Sequence, residues 1–107
     1  MNLQFEITEA HFALARQIKS ESYRDLRYDE CLISENFCPT SLAVMSATGL
    51  GMRDVCTDGV GRITLQNVYK STALDRDHPI REVIRAFDSD EAYDHMLPVW
   101  VTVDFRS

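Results

Sequence analysis

Cys56 and Arg62 are the residues whose types and spacing spell a reaction: a thiol, five residues that include Gly59 and Gly61, then a guanidinium. In a Cys-x5-Arg loop the backbone N–H groups and the arginine hold the oxygens of a phosphate. Their positive field keeps the cysteine a thiolate able to attack phosphorus. The loop works only where it runs into a helix whose N-terminus faces the anion. Here Ile63-Thr64-Leu65 follows Arg62, a run that favours a strand, and Asp58 would put a carboxylate inside the anion site. Asp58-Gly59 with Gly61 is also the chemistry of a hairpin turn. A tight turn beside a small buried cysteine is therefore the expectation, and catalysis by Cys56 and Arg62 is the alternative.

The ending Gly59-Val60-Gly61-Arg62 resembles the phosphate loop of tyrosine phosphatases. That resemblance implies a phosphatase-like or thiol enzyme. The chain departs from the pattern at Val55, where that family often carries His. It also lacks a Trp-Pro-Asp segment to supply a general acid, since its sole tryptophan is Trp100.

Other reactive side chains are scattered. Cys31, Cys38 and Cys56 are an odd number at irregular spacing, which suits reduced thiols better than a disulfide framework. His11, His78 and His95 stand at no helical spacing from one another or from a cysteine, so neither metal nor cofactor is expected. Asp88, Asp90, Glu91 and Asp94 lack the glycine and terminal glutamate of a calcium loop. They read as a solvated helix end, or as a negative patch for a basic partner.

The elements that must carry these residues follow from periodicity. Leu3-Gln4-Phe5-Glu6-Ile7 alternates as a half-buried strand, and Thr8 caps a helix from Glu9 to about Lys19 with Phe12, Ala15 and Ile18 on one face. Residues 21–35 carry both charges and little pattern, and read as a connection with a short helical turn around Asp25. Pro39 opens a helix that Gly49 closes after Thr48, with Phe37 and Leu42 placed as a hydrophobic staple. Val55–Thr57 and Ile63–Val68 are strands, and Ser71–Asp77 is a polar link. A third helix starts at Pro79 with Ile80, Val83, Ile84 and Phe87 at i, i+3, i+4, i+7. After Pro98 the strand Val99–Phe105 turns Val99, Val101, Val103 and Phe105 to one side and Trp100, Thr102 and Asp104 to the other. It is the candidate for a central strand. The expected fold is α+β, a small mainly antiparallel sheet of about four strands covered on one face by three short helices.

A chain of 107 residues supports one domain, here spanning 1–107, and 45% apolar residues suffice for a core. Eleven Lys and Arg against 17 Asp and Glu leave a net charge of −6, which argues against nucleic acid as a partner. No basic start with a long apolar run opens the sequence and no segment reads as a membrane span, so an intracellular, cytoplasmic protein is expected.

Cys38-Pro39-Thr40-Ser41-Leu42-Ala43, Phe87-Asp88 and the closing strand Val99–Phe105 together resemble a type of small phage and prophage protein. The likeness covers the chain from Phe37 onward and brings no activity with it. Small size, acidity and the lack of a coherent catalytic set, taken with what this resemblance implies, lead to one expected function. It is a non-enzymatic protein that binds a host or phage protein, as a phage-encoded inhibitor of a host enzyme or defence complex does, anti-CRISPR proteins among them. A structural homo-oligomer joined through an edge strand or Trp100 is a further alternative.

Overall fold

A computed structural model of the chain describes residues 1–25, 34–92 and 96–106. The alternating N-terminal segment forms β1 (Asn2–Ile7), with Phe5 and Ile7 buried. Helix α1 (Glu9–Asp25) runs past the expected end at Lys19. Apolar periodicity stops after Ile18, but neither Gly nor Pro intervenes, and Gln17 donates to Glu21 one turn on. The connection expected over 21–35 is thus helical up to Asp25, and its last part begins α2 (Ser34–Phe37).

Helix α3 (Pro39–Thr48) has the expected bounds, and Gly49 closes it at φ 80° with its N–H on the Met45 carbonyl. Every residue from Pro39 to Val44 is buried, so this half-helix sits inside the protein rather than on it. A 3-10 turn (Met52–Asp54) leads to β2 (Val55–Thr57), β3 (Ile63–Leu65) and β4 (Tyr69–Ser71). The strand expected from Ile63 to Val68 is therefore broken. Gln66 and Asn67 take positive φ of 52° and 60°, and the Val68 N–H closes the turn on the Leu65 carbonyl. Helix α4 (Pro79–Asp88) and strand β5 (Val99–Arg106) complete the order.

The sheet is antiparallel, curled and five-stranded, in the order β1-β5-β4-β3-β2, and four helices are present among the described residues. Strand β5 is interior, although β4 holds the middle position. It pairs with β1 along Val99–Asp104 and with β4 at Phe105 and Arg106. Helices α2 and α3 pack on β2, α3 also on β1, and α4 on β5. Phe87 lies at the centre of the core, edge-on to Phe12 at 6.1 Å and to Phe37 at 6.4 Å. Among the described residues no helix is long and apolar enough to cross a membrane.

Candidate functional site

The segment from Cys56 to Arg62 is the turn of the β2–β3 hairpin, with strand on both sides. Its donors are consumed from within. The Asp58 carboxylate accepts from the N–H groups of Val60 at 3.0 Å and Arg62 at 2.9 Å, while Gly61 donates to the Asp58 carbonyl. Gly61 sits at φ 82°, and a Cβ there would lie 3.2 Å from Ile80, so this glycine is needed for both conformation and close approach. Arg62 is exposed. The Cys56 thiol donates to Glu35 Oε2 at 3.4 Å, and burial together with that carboxylate pushes its pKa up to about 11. At neutral pH only on the order of one thiol in ten thousand is then a thiolate. A hollow of about 240 Å³ beside the turn is lined by Glu35 and Asp88, charges that repel a phosphate.

Cys38 is the hinge between α2 and α3, buried, with a thiol that burial also pushes up. It belongs to a polar knot. The Ser41 hydroxyl donates to the Glu35 carbonyl, so at the same oxygen it accepts from Thr57 Oγ1 at 2.8 Å and from Cys38 Sγ at 3.5 Å. Asn36 donates to the carbonyls of Met52 and Val55, tying α2 to the edge of β2. These contacts position the hairpin without exposing a nucleophile. Cys31 lies outside the described residues.

The acidic group after α4 is divided. Asp90 takes φ 56°, and the bonds from Asp90 to the Phe87 carbonyl and from Glu91 to the Ala86 carbonyl form a Schellman cap. Lys19, buried along its stem, reaches Asp90 at 3.1 Å and the Phe87 carbonyl at 3.3 Å, placing a cation at that helix end. Glu91 pairs with Arg85 at 2.8 Å, and its carbonyl accepts from Arg16. Asp88 is exposed, and Asp94 and His95 lie outside the described residues. Two of the acids are thus already met by the chain's own cations, which sequence spacing does not reveal because Lys19 is 71 positions from Asp90. Among the described residues no three His, Cys, Asp or Glu side chains gather as a metal ion requires.

The face of the sheet turned from the core is where a large apolar group stands in solvent. Trp100 is 61% exposed near one end of the β1–β5 ladder, one pair in from Ile7 opposite Val99. Its cross-strand neighbour is Glu6, followed along the ladder by Gln4 opposite Thr102 and Asn2 opposite Asp104. The period-two pattern of β5 had put Trp100 on this side. Its neighbours needed the register, which only the fold supplies. No family model matches the sequence, and comparison with curated proteins and with solved structures finds no match.

Proposed function

We propose that this chain is a non-enzymatic binding protein, and that its partner is another protein seated on the outer face of the β1–β5 ladder. The observation that carries the reading is Trp100, 61% exposed on an interior strand whose other face is packed into the core. Tryptophan on a rigid sheet presents a large contact area at small entropic cost, and it is enriched among residues that dominate binding energy. The charge of −6 suits a partner with a basic surface. A phage-encoded inhibitor that blocks a host enzyme or defence complex by covering such a surface, as an anti-CRISPR protein would, is the finer form of this proposal.

The test is capture from a bacterial lysate with the wild-type chain and with Trp100→Ala, followed by mass spectrometry. A stoichiometric partner held by wild type and released at least about thirtyfold more easily by the variant is the expected result. No stoichiometric partner, or one held equally by both, overturns it. Light scattering adds the remaining outcome. A wild-type dimer that Trp100→Ala makes monomeric would mean that this face joins copies of the chain.

A further inference from the structure

We infer that the partner contributes an arginine side chain, held between the Trp100 indole and the carboxylates of Glu6 and Glu9. This rests on the reading of the face as a protein-binding one. Phe105 donates to the Met1 carbonyl at 2.7 Å and accepts from the Met1 amine at 3.2 Å, so the odd-numbered residues of β5 exchange hydrogen bonds with β1. Glu6 and Trp100 are therefore a non-hydrogen-bonded pair, the kind whose side chains stand closest across an antiparallel ladder. One residue beyond Ile7 the chain turns into α1, which brings Glu9 to the same end of the ladder. A hollow of about 280 Å³ opens there, walled by Glu6, Glu9, Ala10 and Leu97-Pro98, the dipeptide that leads into β5.

The carboxylates in this notch have no fixed counter-charge, His11 being the one imidazole that feels Glu6 among the described residues. Neither Glu6 nor Glu9 has an ion pair or a side-chain hydrogen bond among the described residues. In contrast Asp104 meets the Met1 amine and Arg106, Asp90 meets Lys19, and Glu82 and Glu91 both meet Arg85. The positive end of α1 offsets roughly half an elementary charge, which leaves the notch negative. A negative notch beside an exposed π-face selects a cation and rejects an acidic or phosphorylated group. A guanidinium fits it better than an ammonium. It is flat enough to stack on the indole while its N–H edge reaches the carboxylates, and it sheds water more easily. Ala10, Leu97 and Pro98 give the methylene stem an apolar wall.

The chain's single tryptophan reports directly on this site. A capped penta-arginine peptide, its neutral penta-citrulline isostere and penta-lysine are titrated against Trp100 fluorescence. Saturable quenching by the arginine peptide, weaker with lysine and absent with citrulline, is expected. The pair Glu6→Gln and Glu9→Gln should weaken the arginine peptide about fivefold, whereas neutralising the distant exposed Asp77→Asn should not. Equal responses to arginine and citrulline overturn the inference, as does equal weakening by Asp77→Asn, which would mean attraction to net charge alone. The inference can fail while the reading beneath it stands. If Trp100→Ala abolishes capture of a partner and the two glutamine variants leave it intact, the face binds a protein and the arginine assignment falls.

Discussion

His11 couples the start of α1 to solution pH. Its Nδ1 accepts from the Thr8 N–H at 3.1 Å while its own N–H donates to Thr8 Oγ1, a capping box with imidazole in the usual place of Glu or Gln. Nε2 then carries the proton and donates to Ser46 on α3 at 3.1 Å. Burial lowers the pKa from 6.5, against the opposing pull of Glu6. The unfolded chain thus binds the proton more readily, and this contribution to stability is full above pH 6.5 and lost as pH falls through the lower folded value. Relative to His11→Gln, which keeps the cap, the wild-type urea midpoint should fall on acidification below pH 6.5. A pH-independent difference would remove the latch. Two hydroxyls in α3 give an opposite pair. Ser41→Ala orphans the Glu35 carbonyl and strips Thr57 and Cys38 of an acceptor, and should cost about 1–3 kcal/mol in denaturant titration. Thr40→Val deletes a buried hydroxyl that has no partner among the described residues and should be neutral or gain up to about 1 kcal/mol. Thr8 was legible as a cap. His11 as its reciprocal was not, because imidazole at that position is rare and its second partner comes from another helix.

Among the elements, α3 and the start of α4 were readable because local chemistry marks them: Pro39 and Gly49 for one, Pro79 and the i, i+3, i+4, i+7 pattern for the other, while the end of α4 takes in Asp88, which had read as the loop beyond it. The β2–β3 hairpin was readable for the same reason. The β3–β4 turn was not, since Gln66-Asn67 lacks the glycine that announces a positive-φ pair. Two consecutive left-handed residues are held there by the Gln66 N–H on the Asp54 carbonyl at 2.7 Å and by packing around Leu65. Replacing the pair with Asn-Gly should stabilise the protein by about 1 kcal/mol, because the backbone no longer opposes the turn. Calorimetry that shows a lower midpoint would mean the turn is of another type. Ser71, read as the start of a link, instead sits in β4 and accepts from the Ile63 N–H at 2.8 Å, standing in for a missing ladder bond. Such substitutions of side chain for backbone leave no trace in hydropathy. The candidate site divides in the same way. The turn identity of Cys56 to Arg62 came from local residues, and the Glu6–Trp100 neighbourhood from a pairing across more than ninety positions.

At the scale of the whole molecule, Phe87 joins α1, α2 and α4, with Lys19 also over its ring at 5.0 Å. Phe87→Ala should cost about 3–5 kcal/mol, a large share of the total stability of a domain this size, and far-UV circular dichroism in urea measures it. Retention of the wild-type midpoint would show that the core is not organised around this ring. The strand order has a further consequence, for time rather than energy. Strands β2, β3 and β4 are neighbours in sequence and can zip as a meander as soon as their turns form. Strand β1 has no partner until β5 arrives from the far end of the chain. Closing so large a loop is an entropic toll that local contacts do not repay in advance. The strand of this sheet that is synthesised earliest is thus the last to be paired, and through that interval Leu3, Phe5 and Ile7 are the segment a chaperone has most reason to hold.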